Sequence, residues 1–292
     1  MKALRNLLLA GLILSGTNLL HAATVDSLEV ASKAMNRTYK AAVVLPDAYA
    51  QNKAFYPVLY LLHGGSGHFS DWLSLPPNKN VVKELADRYK LIVVMPEGEE
   101  FGWYMDSPTD PGSRFETHII REVIPAVDAA YRTVATKKGR VITGLSMGGH
   151  GAMYLATRNP DMFSAVGTMS GAMDMDYTKF LINPEFTQSL KDRFEALLGT
   201  SDPDSEIFRA NSVMHMTDQI KANGLPVLID CGYGDFLIGV NRELHNRLLY
   251  NGTPHTYIER PGGHTWDYWE NALPYHVLFF HKVLLANGVT VE

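Results

Sequence analysis

Cysteine is almost missing from this chain. Cys231 is the only one in 292 residues, so no disulfide can close within the chain and no cysteine pair is present to bind a metal. It stands in the apolar run Pro226–Cys231 and reads as a small buried hydrophobe, with no histidine beside it in sequence to make it a nucleophile. Clusters of Lys and Arg are also missing. Formal net charge is −5, which argues against nucleic acid and anionic membrane surfaces as partners. There is no His-Glu-x-x-His spacing, so no metal site is expected. No Gly-x-Gly-x-x-Gly opens a helix, and the glycine-rich turn at 144–149 lacks a phosphate-loop lysine, so no cofactor is expected either. Internal repeats, low-complexity tracts and Pro/Ser-rich linkers are absent, which leaves one domain as the simplest organisation.

What is present is an ordinary globular composition, 46% hydrophobic and 20% charged. Residues 1–22 read as a secretory signal peptide. Lys2 and Arg5 form the basic start, Leu7–Leu14 the apolar centre, and Leu20-His21-Ala22-Ala23 the small-residue cleavage site. The apolar centre is broken at Ser15-Gly-Thr-Asn18 and is too short to hold the chain in a bilayer, so no stable membrane anchor is expected. Residues 23–292 would then be a single catalytic domain, secreted or periplasmic.

Beyond the leader, apolar β-type runs alternate with amphipathic helical patterns, the signature of a mainly parallel sheet with helices on both faces. Strands are expected at Tyr39–Leu45, Pro57–Leu62, Leu91–Met95, Val141–Leu145, Ser164–Met169, Val227–Cys231 and Thr256–Glu259. Helices are expected at Val81–Tyr89, at Arg114–Tyr131 with a kink at Pro125, at Val240–Leu249 and at the C-terminus. Between Met173 and Asn223 the strand rhythm lapses. That stretch reads either as a short cap-like insertion over a site or as ordinary connecting helices.

The chemistry gathers at strand ends. Val141-Ile-Thr-Gly-Leu-Ser-Met-Gly-Gly149 feeds a strand into a helix through a turn sharp enough to thrust the Ser146 hydroxyl above the sheet, with Gly144 and Gly148 letting backbones approach. Asp235 follows the strand ending at Cys231, and His264 follows the last strand; ligands of open parallel sheets collect at these carboxyl ends. The chain order Ser, Asp, His is that of the α/β-hydrolases. A serine hydroxyl needs a base to take its proton as it attacks, which His264 would supply, and Asp235 would orient and stabilise that imidazole. Asp230 is the rival acid, although it sits inside the strand. The developing oxyanion would take backbone N–H groups from Met147 and from the His63-Gly64-Gly65 loop, with Gly65 the first choice and Gly64 the alternative. Trp103, Tyr104 and Trp266 lie on loops where they could line the mouth for a sugar or phenolic group, or else pack the core.

Taken together, Leu62-His-Gly-Gly65, Asp71-Trp72, Trp103-Tyr104, Gly144-Leu-Ser-Met-Gly-Gly149, Cys231-Gly-Tyr-Gly-Asp235 and Gly262-Gly-His-Thr-Trp266 resemble the esterase D group of α/β-hydrolases across nearly the whole mature chain. That group includes tributyrin esterases, S-formylglutathione hydrolases, mycolyltransferases of the antigen 85 type, and feruloyl or acetylxylan esterases of carbohydrate esterase family 1. The resemblance implies an α/β-hydrolase fold, a Ser146–Asp235–His264 triad, and oxyanion donors at Gly65 and Met147. With the leader, it implies an exported serine carboxylic-ester hydrolase acting without cofactor on acetyl or feruloyl esters of plant cell-wall carbohydrate. An acyltransferase on the same triad and a catalytically silent carbohydrate-binding relative are the alternatives.

Overall fold

The computed structural model describes residues 22–291. The expected leader lies outside them apart from Ala22. Eight strands form one sheet: β1 (Thr24–Ser32), β2 (Arg37–Leu45), β3 (Val58–Leu62), β4 (Ile92–Pro96), β5 (Arg140–Gly144), β6 (Ala165–Met169), β7 (Val227–Gly232) and β8 (Thr256–Arg260), in the order β1-β2-β4-β3-β5-β6-β7-β8. The β1–β2 and β2–β4 pairs are antiparallel and every other pair is parallel.

The main helices are α1 (Val81–Tyr89), α2 (Ile124–Ala130), α3 (Met147–Arg158), α4 (Pro184–Leu198), α5 (Glu206–Asn211), α6 (Thr217–Asn223), α7 (Ile238–Tyr250) and α8 (Trp266–Ala286). Every residue of β3 to β7 is buried, as continuous apolar strands must be when both faces of a sheet are covered. Alternation along β3 divides the core in two. Val58, Tyr60 and Leu62 pack with α2, α3 and α7 on one face, while Leu59 and Leu61 pack with α1 and α8 on the other. This is the α/β-hydrolase architecture.

Two local features differ from the sequence expectation, and a third settles into helices where two readings were open. β1 was not expected: Thr-Val-Asp-Ser-Leu-Glu-Val-Ala-Ser is an edge strand in which only Val30 and Ser32 are buried, so its polar face hides the strand signal. The expected single helix over Arg114–Tyr131 is a composite. A π-helical turn at His118–Val123 leads without a break into α2, and Pro125 stands in the first turn of α2, just past the widened turn. Residues 173–223 form α4 to α6 and short turns. α4 starts at Pro184 with the Asn183 side chain accepting the Phe186 N–H at 2.8 Å, and it stops at Gly199, whose φ is +75°. This helix forms one wall of the site.

Candidate active site

Four loops leave the carboxyl ends of β3, β5, β7 and β8 on the same edge of the sheet, and each carries one of the expected groups. Ser146 sits just past β5 with φ 54° and ψ −118°, a conformation that few non-glycine residues adopt. The surroundings enforce it. The Ser146 N–H donates to Met169 O at 2.9 Å, and the Gly148 N–H donates to Leu145 O at 2.7 Å. A Cβ on Gly144 would lie 2.4 Å from Gly148 O, and one on Gly148 would lie 2.3 Å from His63 O. Both motif glycines are therefore needed for strand, turn and helix to come this close.

The structure brings Ser146, His264 and Asp235 into one row. His264 Nε2 is 2.9 Å from Ser146 Oγ, and His264 Nδ1 is 2.9 Å from Asp235 Oδ2 and 3.0 Å from Oδ1. Asp235 is fully shielded, and its Oδ1 also accepts the Leu237 N–H at 2.8 Å. A carboxylate on Nδ1 fixes the imidazole with Nδ1–H donating, which leaves the Nε2 lone pair to accept from the serine. The two loops are tied to each other: the Tyr233 N–H donates to Arg260 O and the Gly234 N–H to Gly262 O. The Phe236 and Trp269 rings pack on the His264 ring at 4.3 and 4.9 Å between centroids and hold its plane.

Asp230, the rival acid, faces elsewhere. It is buried and accepts from Arg260 Nη2 at 2.8 Å and from the Tyr268 hydroxyl. Burial raises its carboxyl above the ordinary range, against the pull of the Tyr268 and Arg260 contacts. Its partners anchor the last strand to α8.

After β3, the His63 side chain organises the loop. Its Nδ1 bonds Gly64 O at 2.8 Å, and its Nε2 accepts the Gly98 N–H at 2.9 Å. With Nε2 accepting, Nδ1 is the donor to Gly64 O. The backbone N–H groups of Gly64, Gly65 and Met147 make no hydrogen bond among the described residues. Gly65 and Met147 line the cavity beside Ser146, whereas Gly64 does not.

That cavity is about 300 Å³, with Ser146 and His264 at its base and walls of Trp103, Phe180, Phe186, Leu190 and Phe236. Four of these wall residues had no expected role; for Phe180, Phe186 and Leu190 the break in strand rhythm after Met173 pointed only to their segment, and nothing pointed to Phe236. Trp103 is in the wall as expected, though only 3% exposed. Tyr104 and Trp266 are not where a mouth residue would be, and both expectations are corrected. Tyr104 is fully buried, its hydroxyl donates to His63 O at 3.1 Å, and its ring occupies the space left by the missing side chains of Gly98 and Gly151. It supports the His63–Gly65 loop from behind. Trp266 packs edge-on against Trp72 and Trp269 at the start of α8, outside the cavity.

Comparison with known proteins agrees with this geometry. The Esterase family model, described as "Putative esterase", matches residues 32–280. An acetyl esterase of Caldicellulosiruptor saccharolyticus is 30% identical over 72% of this chain and 78% of its own length. An esterase of Mycobacterium tuberculosis is also 30% identical, over 76% of this chain, which spans only 51% of that longer protein. A solved ferulic acid esterase superposes with a TM-score of 0.73 at 29% identity, covering 90% of this chain and 98% of its own. The chain thus belongs to the Esterase family, on an α/β-hydrolase fold.

Proposed function

We propose that this protein is an exported serine esterase that hydrolyses carboxylic esters through an acyl-enzyme, and that its substrates are acetyl or feruloyl esters of plant cell-wall carbohydrate. The observation that carries the proposal is the unbroken row from Ser146 Oγ through His264 to the shielded Asp235, each step within 3.0 Å. As Ser146 Oγ attacks the ester carbonyl, its proton passes to His264 Nε2, and Asp235 stabilises the imidazolium. The carbonyl oxygen becomes an oxyanion that receives the unpaired N–H groups of Gly65 and Met147, each such donor contributing roughly 3 kcal/mol to the transition state. Collapse breaks the ester C–O bond, and His264 returns its proton to the leaving alcohol. A water, deprotonated by His264, then repeats the sequence to release the acid and restore Ser146.

The aromatic cavity suits a small acyl or planar phenolic group. Two relatives, an acetyl esterase and a ferulic acid esterase, point the same way. Export rests on the leader pattern of residues 1–22. A panel of 4-nitrophenyl acetate, methyl ferulate, acetylated xylan and S-formylglutathione tests the substrate reading. Turnover of the oxygen esters is expected; activity confined to the glutathione thioester would discard it.

A further inference from the structure

A second and larger cavity, about 760 Å³, lies beside the first. Its walls are the start of β2 (Arg37–Lys40), the loops carrying Phe69, Glu99 and Asp110, and the outer face of α4. The two cavities share Phe101 and Arg193. Arg193 and Phe101 stand where the two cavities meet: the Arg193 guanidinium lies 4.2 Å from the Phe101 ring centre, and its Nη2 donates to Glu100 O at 3.2 Å. The Ser66 N–H, on the loop that lines the smaller cavity, donates to the same Glu100 oxygen at 2.8 Å.

The two spaces differ in chemistry. The smaller is aromatic and apolar, whereas the larger carries cations (Arg37, Lys40, Arg193) and carboxylates (Glu97, Glu99, Glu100, Asp110) in nearly equal number. A surface with both signs interleaved does not select a polyanion or a polycation. It does offer what a polyhydroxylated chain needs, since each sugar hydroxyl both donates and accepts. Phe69 and Phe101 also line it, the latter with Arg193 over one face of its ring, and add apolar surface for a pyranose. Ser113 is an independent sign. Its residue is buried, it lines this cavity, and its hydroxyl finds no hydrogen-bond partner among the described residues. Such a group is costly unless something arrives to pair with it.

We propose that this groove is the subsite for the carbohydrate part of the ester, a short chain of neutral sugars that runs past Arg193 and Phe101 while the acyl group occupies the smaller cavity. The proposal deepens the esterase reading above and rests on it.

The test compares wild type with Arg37→Ala/Asp110→Ala and with Lys40→Trp, which narrows the groove. Acetylated xylotetraose needs both cavities, whereas 4-nitrophenyl acetate needs only the smaller one. For each groove variant kcat/KM on the oligosaccharide is expected to fall about tenfold, through KM, while 4-nitrophenyl acetate turnover stays within about twofold. Unchanged oligosaccharide turnover, or a parallel loss on both substrates, overturns the proposal. If folded wild type hydrolyses neither ester, the esterase reading fails, and the groove is judged by calorimetric titration with unacylated xylotetraose. Binding that the groove variants abolish then supports the subsite; no binding to wild type overturns it.

Discussion

Asp230 and Asp235 lie on one strand and the loop that continues it, yet they take different partners. Asp235 reaches His264, while Asp230 is held by Arg260 and Tyr268. Their amide variants should therefore fail in different measurements. Asp235→Asn is expected to lower kcat by roughly 10⁴-fold with little change in melting temperature, because the imidazole loses its orienting acceptor. Asp230→Asn should leave kcat within a few-fold but cost on the order of 3 kcal/mol in urea unfolding, since Arg260 is left as a mostly buried, unpaired cation. The reverse pattern would mean that the acid is Asp230. The sequence made this choice legible, because a side chain on a loop past a strand tip can reach the site while one inside the strand points into the sheet's flank. The aromatic residues were not legible in this way. Whether a loop tyrosine faces solvent or core depends on space that other elements vacate, and for Tyr104 that space comes from Gly98 and Gly151, distant from each other in sequence.

Among the elements, the turn into α3 and the helix α4 matter most for function. In Gly148→Ala the added methyl would meet the His63 carbonyl oxygen, a backbone atom with no flexible side chain to yield. Loss of several degrees in melting temperature together with most of the esterase activity is expected; a fully active, equally stable variant would show that the turn tolerates side chains. α4 places Phe186 and Leu190 in the cavity wall. Shortening either to Ala should favour longer acyl groups, raising the kcat/KM ratio of 4-nitrophenyl butyrate to acetate several-fold, the range expected when a methylene or two gains room. An unchanged ratio would remove α4 from the acyl wall. Seven of the eight strands and the turn at Ser146 were readable because short β-type runs closed by glycine or proline have few other uses in a chain of this length. β1 was not, since an exposed edge strand buries too few residues to show alternation. The π-helical turn before Pro125 was hidden as well, because its apolar spacing mimics an unbroken helix.

For the whole molecule, the two layers of core each contain a histidine sealed from water. His150 on α3 is pushed down to about 4 by burial, against a contact with Asn211 O, and His276 on α8 is pushed down to about 3, again by burial first. Both stay neutral in the fold at pH values where the unfolded chain has taken up their protons. Stability from these groups is thus complete above about pH 6.5 and declines as pH falls toward the folded values, by about 2 kcal/mol per histidine at pH 5. Urea unfolding from pH 7.5 down to 4.5 should show that decline, and a flat profile would contradict it. The same fold that seals these two imidazoles leaves a third, His264, partly open at the strand tips beside Ser146. Everything proposed for the chemistry depends on that serine. The most direct measurement is the pre-steady-state release of 4-nitrophenol from 4-nitrophenyl acetate by wild type and by Ser146→Ala. The predicted result is a burst of one equivalent per folded chain in wild type, with no burst in the variant and kcat reduced by about 10⁶-fold. A Ser146→Ala protein that keeps the burst, or loses less than tenfold in kcat, would contradict it.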